Sequence, residues 1–326
     1  MVTEVELIKP VSRAGVRVAA SPGEEAGTLM RIAFDGPRPD FDFIGLELLG
    51  GDQFEEHWNI AAPVENGQAG DLRFCQAGEL LYIACEQPDD KLADPAGLTE
   101  SLYSQILALA RDRGCPTLLR AWNFMPAINH GDGDKERYRR FCLGRSRALE
   151  AAGIRDRELC AGTAIGGDDP HLRIHVLTGR HAGLNIENPR QVSAYRYPRI
   201  YGPRSPSFAR ATAIGQPDGS ALLMISGTAS VVGHRTLHEG DLTAQTDEIV
   251  VNLGTVLQES VRRLGRRGLA SFGPHSLLRV YVRHAEHWPQ VRERLRQTWP
   301  ETPVIGVRGD ICRADLLVEI EAVTRG

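Results

Sequence analysis

Lysine is almost missing from this chain: of 38 lysine and arginine side chains, only Lys9, Lys91 and Lys135 are lysine. Arginine prevails where planar carboxylates are held by two donors at once, but it also accumulates in GC-rich coding sequences, so each arginine must be judged by its position. There is no surplus of positive charge either, since 42 acidic side chains leave a formal net charge of −4. That balance argues against nucleic acid and membrane surfaces as partners and leaves a small molecule or another protein as the expected one. Cys-x-x-Cys pairs are absent. Cys75, Cys85, Cys115, Cys142, Cys160 and Cys312 are scattered, which points to free thiols rather than a zinc site or a disulfide framework. No apolar run approaches the roughly 18 residues that span a bilayer, and the opening MVTEVELIKPVSRAG lacks a basic stretch followed by an apolar one, so a cytoplasmic protein is expected. The Gly-rich stretch Ala164-Ile-Gly-Gly-Asp168 lacks the strand–GxGxxG–helix context of a nucleotide loop. His171 and His175 fall on an alternating strand pattern, and His234 and His238 on a turn without an acidic partner, so no metal is expected.

What is present is a chain of 326 residues, 42% hydrophobic and 25% charged, enough for about two domains with substantial cores. Periodicity predicts strands at 207–213 and 221–228, a helix from Asp241 to about Leu264, a strand at 277–282, a helix at 287–299, and strands at 302–307 and 315–323. The first half repeats this order more faintly: strand 79–85, helix 98–113, strand 117–122, helix 134–152, strands 161–165 and 172–177. Further strands at 16–20, 30–34 and 43–49 are expected to elaborate the first unit. The fold class expected is α/β (α+β), with two tandem units of mixed sheet, each packed against two helices. The units are assigned to residues 1–180 and 181–326, joined by the Pro- and Gly-rich segment 179–206.

Three places could carry chemistry. On the helix at 134–152, Tyr138, Phe141, Cys142, Arg145 and Leu149 share a stripe facing the core, so Arg145 needs a carboxylate from the protein or from a ligand. The loop from Tyr195 to Arg210 packs three Tyr, four Arg and three Pro into 16 residues, either as a domain linker or as a stiffened binding loop. On the last strand Glu319 and Glu321 share a face, which is a solvent face or a paired-acid site, and Cys312 lies seven residues before Glu319.

The C-terminal part resembles the Rid/YjgF family through Ile225-Ser-Gly-Thr, Gly240-Asp-Leu-Thr-Ala-Gln-Thr, Asn252-Leu and Leu317-Val-Glu-Ile-Glu-Ala. Adding Arg120-Ala-Trp-Asn-Phe-Met-Pro-Ala-Ile-Asn129, Tyr138-x-x-Phe-x-x-Gly-Arg145 and Tyr197-Pro-Arg-Ile-Tyr-Gly-Pro-Arg-Ser-Pro-Ser-Phe-Ala-Arg210, the chain resembles the chorismatases, enzymes on a Rid-like fold with a degenerate first unit. The resemblance implies an active site near the unit interface and loss of pyruvate from chorismate without a cofactor. Glu319 matches the family's catalytic acid. Arg145 and Arg210 would hold carboxylates, and Tyr138 or Tyr201 the ring hydroxyl. Burial of Glu319 favours its protonated form and nearby arginines oppose it. Cys312 implies the 3-hydroxybenzoate branch, by excluding water, acting as nucleophile or shuttling a proton. Hydrolysis to a dihydroxycyclohexadiene carboxylate and a mixed 3-/4-hydroxybenzoate branch are the alternatives. A Rid-type imine deaminase is disfavoured by Val304 and Ile305 where its arginine motif belongs; a sensor is the remaining class. A fused second unit is compatible with a monomer or with pseudo-trimer-like packing.

Overall fold

The computed structural model describes residues 16–19 and 27–326, so the opening segment and Ala20 lie outside the described residues. The chain begins with β1 (Val16–Ala19), β2 (Gly27–Ala33), β3 (Asp42–Phe43), β4 (Glu47–Gly51) and β5 (Glu55–Ile60). There follow β6 (Glu65–Ala69), β7 (Leu72–Ala77), β8 (Leu80–Pro88), α1 (Pro95–Asp112), β9 (Thr117–Pro126), α2 (Arg137–Ala151), β10 (Ala161–Gly167) and β11 (His171–Gly179). After β12 (Leu184–Ile186) come β13 (Ala211–Gly215), β14 (Ala221–Ala229) and the small hairpin β15 (Val231–Val232) and β16 (Arg235–Thr236). The chain closes with α3 (Leu242–Leu264), β17 (Ser276–Val282), α4 (Trp288–Thr298), β18 (Val304–Arg308), β19 (Asp310–Ile311) and β20 (Val318–Arg325).

Local chemistry sets these elements. Asp94 caps α1 by accepting from the Ala96 amide at 3.0 Å, with Pro95 at the first helical position. Asp241 caps α3 through the Ala244 amide, and Gly265 ends that helix at φ +66°.

The order β7-β8-α1-β9-α2-β10-β11 recurs as β13-β14-α3-β17-α4-β18-β20, and so does the sheet order: β7-β8-β11-β9-β10 in one sheet, β13-β14-β20-β17-β18 in the other. Each unit's helical crossover makes one parallel pair, β9 with β10 and β17 with β18. One apolar core fills the space between the first sheet and α1 and α2, a second that between the other sheet and α3 and α4. A third lies between the two sheets and is closed by a four-stranded sheet of order β1-β5-β2-β3, with Trp58 edge-on to Trp122 at 5.8 Å between ring centres.

Several boundaries differ from the sequence reading. The N-terminal strands do not simply extend the first unit. Four form their own sheet, while β4 pairs with β18 of the second unit, and in return β19 pairs with β10 of the first. A cut between residues 180 and 181 would strip both sheets of an edge strand. Helix α2 starts at Arg137 rather than Asp134, because the buried Arg137 guanidinium is held by Asp89 and by the carbonyls of Asp90, Ala93 and Pro126. Strand β13 starts at Ala211 rather than Ser207, the Ala209 amide being given to Cys160 at 2.9 Å instead. No helix among the described residues is long and apolar enough to cross a membrane.

Candidate active site

All six residues singled out in the sequence, Tyr138, Arg145, Tyr201, Arg210, Cys312 and Glu319, line one cleft of about 650 Å³ between the two units. Its floor is β20, which is an inner strand between β14 and β17, so the face that carries Glu319 and Glu321 looks into the molecule rather than into solvent. Both carboxyls are buried, at 5% and 4% exposure. Across from Glu319, β14 carries a bulge between Ile225 and Thr228, and Gly227 within it leaves room for the acid. A Cβ on Gly227 would stand 1.9 Å from Glu319 Oε1.

The two glutamates have different surroundings. Glu321 accepts from Arg120 Nη2 at 2.6 Å, from Thr163 Oγ1 and from Trp122 Nε1 at 3.0 Å, and Arg279 lies 3.1 Å away. It does not line the cleft; Glu319 does. Burial, then the Glu321 charge, push the Glu319 carboxyl up to about 8, against the opposing pull of Arg120 and Arg210. Burial therefore outweighs the arginines, and near neutral pH Glu319 holds a proton.

One wall is α2. Gly144 faces α1, where a Cβ would meet the Ala96 carbonyl oxygen at 2.1 Å, and this close crossing sets the next residue, Arg145, toward the cleft. Arg145 is 5% exposed. Its Nη1 donates to the Ser207 carbonyl and its guanidinium lies over the Tyr103 ring at 5.1 Å, but Nε and Nη2 have no acceptor among the described residues. The carboxylate partner that the sequence calls for is thus not supplied by any of the described residues. Tyr138 stacks on Phe141 one turn away.

The opposite wall is the Tyr195–Arg210 loop. Two 3-10 turns, at Ala194–Arg196 and Arg199–Tyr201, shape it, and Arg199 ties it to Asp134 and Arg204 to Glu150. Gly202, at φ +133°, packs on the Arg139 side chain. Arg210 donates to the Val192 carbonyl at 3.0 Å and to the Tyr197 hydroxyl at 2.7 Å, leaving buried Nε without an acceptor. Tyr201 contacts His234 Nδ1 at 3.3 Å, under the Arg313 guanidinium at 4.1 Å from its ring centre. Cys312 sits on the β19–β20 connection, partly buried, its thiol pushed well above its usual value by burial and by Glu319. Burial favours the neutral thiol over the thiolate, the form that nucleophilic attack requires.

The sequence reading gave no role to Asn123, Thr163, Phe208, Gly227 or Arg313, which also line the cleft. Asn123 and Gly227 stand inside motifs already recognised, but a carboxylate's resting place on a glycine backbone has no linear signature. The chemistry available is that of a proton donor flanked by two guanidiniums with free donors.

The family described as Chorismatase FkbO/Hyg5-like, N-terminal, matches residues 56–178. A 3-hydroxybenzoate synthase of Streptomyces hygroscopicus is 38% identical over 279 residues, covering 83% of this chain and 81% of that protein. A chorismatase of Streptomyces rapamycinicus is 36% identical over 282 residues, covering 83% and 82%. A crystal structure of a chorismatase superposes with a TM-score of 0.81 at 31% identity, over 98% of this chain and all of that one. On these matches along most of its length, the chain belongs to the chorismatase family.

Proposed function

We propose that this protein converts chorismate to 3-hydroxybenzoate and pyruvate. The observation that carries the reading is the meeting, in one cleft, of a buried carboxyl that keeps its proton, Glu319, with two arginines, Arg145 and Arg210, whose buried N–H groups lack an acceptor. Chorismate presents the complementary set: two carboxylates, and an enol ether whose methylene carbon must be protonated before the ether bond to the ring breaks.

In the reaction Glu319 gives its proton to the methylene carbon, and the former double bond supplies the electron pair. The ring C–O bond then breaks, its electrons staying on the departing oxygen, so the side chain leaves as pyruvate. The neighbouring ring hydroxyl attacks the carbon being vacated, its proton returns to the Glu319 carboxylate, and the cyclic oxide isomerises to the aromatic phenol. Every atom of the substrate is found in the two products, so the step balances without an oxidant or reductant. Arg145 and Arg210 fix the carboxylates, and Tyr138 and Tyr201 stand where the ring substituents can be oriented. The neutral Cys312 thiol fills space that a nucleophilic water would otherwise take, favouring internal attack over hydrolysis.

Reaction in ¹⁸O-water tests the reading. The expected result is pyruvate together with 3-hydroxybenzoate free of solvent oxygen, and a shift toward the dihydroxycyclohexadiene carboxylate in Cys312→Ala. Mainly the diene from the wild type, or a mixture of 3- and 4-hydroxybenzoate, would contradict the branch. Absence of pyruvate release would contradict the reaction itself.

A further inference from the structure

Beneath the cleft, outside its lining, four charged side chains are packed together: Arg279 Nε to Glu56 at 2.7 Å, Arg279 Nη1 to Glu321 at 3.1 Å, and Glu321 to Arg120 Nη2 at 2.6 Å. They come from β5, β17, β20 and β9, and every one is buried. Among the described residues, one hydroxyl links this cluster to the cleft. Thr163 on β10 donates from Oγ1 to Glu321 Oε2 and accepts from Arg120 Nη2 at 2.6 Å and from the Gly227 amide at 3.0 Å. Gly227 is the bulged residue against whose backbone Glu319 rests. Thr163 thus uses its hydroxyl proton and both lone pairs.

Building on the reading of Glu319 as the acid, we propose that Thr163 and Glu321 are positioning residues for it: the hydrogen-bonded chain Arg120–Glu321–Thr163–Gly227 fixes the bulged backbone under the Glu319 carboxyl and keeps a negative charge two residues along the same strand. The charges facing Glu319 from the surrounding elements are Glu321 on β20, Arg120 on β9 and Arg210 before β13, with the neutral Tyr138 of α2 and Cys312 of the β19–β20 connection beside it. β17 sets Tyr281 opposite Glu319 in register. Of these groups, Glu321 alone carries a charge that opposes ionisation of the acid. Glu321 is itself ion-paired with two buried cations, Arg120 and Arg279.

The test is the pH profile of kcat/KM for chorismate in the wild type, E321Q, T163V and T163S. In the wild type, activity falls as pH rises through the ionisation of Glu319. In E321Q the falling limb moves to lower pH by roughly one unit or more, because the opposing charge is gone while the two arginines remain. T163V lowers kcat by roughly tenfold or more with KM nearly unchanged, and T163S restores it, since the serine hydroxyl can make the same three bonds. If E321Q does not fold, the T163V and T163S pair decides the matter. A limb unmoved in E321Q, or T163S as impaired as T163V, would overturn the proposal. A wild type whose activity does not fall with rising pH, or an E319Q variant with normal turnover, would instead overturn the assignment of Glu319.

Discussion

A methyl group added at Gly227 would displace the acid, because its Cβ would stand 1.9 Å from Glu319 Oε1. The obstacle is the end of a side chain rather than backbone, so Gly227→Ala should fold with little loss of stability and yet lower kcat by roughly tenfold or more as Glu319 swings aside. Thermal melting with steady-state kinetics checks both halves, and normal kcat would show that the bulge does not set the acid. Arg145 and Arg210 make a second prediction at this scale. Each has buried N–H donors without an acceptor, so replacing either with Ala should weaken chorismate binding by about 1.5–3 kcal/mol, measured calorimetrically on E319Q to prevent turnover. Unchanged affinity in both variants would reject them as anchors. Residue chemistry was legible in the sequence where a motif and a face coincided, as at Glu319 and Arg145. The strand pattern alone did not divide the labour between Glu319 and Glu321; only the family resemblance singled out Glu319. They share one face of one strand, and only neighbours from β9, β10 and β17 make one an ion-paired carboxylate and the other an acid.

The connection from β19 to β20 places Cys312, and Arg283 holds it together. Its Nε donates to the Leu316 carbonyl at 2.9 Å, its Nη2 to those of Ile311 and Arg313, and its Nη1 to Asp310 and to Asn129 of the first unit. A lysine cannot reach these five acceptors with the three donors of one ammonium group. Arg283→Lys should therefore loosen the connection, lower kcat and raise the share of hydrolysed product, read by chromatography of the products. An unchanged product ratio and rate would show that Cys312 is placed by its own packing. Elements with a clean period, such as α3 with its Asp cap and Gly end, were legible almost to the residue. The start of α2 was not, because a buried arginine bound to distant carbonyls leaves no trace in periodicity. A strand was expected at 43–49, but not the bounds of β4 or its partner, which lies in the other half of the chain.

The tandem architecture could be inferred from element order, but the exchange of β4 and β19 between the two sheets could not, since edge pairing depends on contacts far apart in sequence. That exchange, with a shared core between the sheets, predicts one cooperative calorimetric transition for the whole molecule. Two resolved transitions would mean that the units unfold separately. Placing a proton-holding carboxyl in the interface also has a consequence for stability. Glu319 ionises near its usual 4.5 in the unfolded chain but near 8 in the folded one, so the unfolded state binds fewer protons between those values. Stability from this group is complete below about pH 4.5 and is lost as pH rises toward 8. E319Q should therefore melt higher than the wild type at pH 8, by about 2 °C or more, with little difference at pH 4.5. Equal melting at both values would place Glu319 in a less confining environment.

The central claim is carbon protonation of chorismate by Glu319, and its most direct measurement is pyruvate release in D₂O by the wild type and E319Q. The wild type should release pyruvate carrying one deuterium on its methyl group, together with 3-hydroxybenzoate, while E319Q does so at least about 100-fold more slowly yet keeps its fold. Pyruvate released at a near-normal rate by a folded E319Q variant, or by the wild type with no deuterium on its methyl group, would contradict the account.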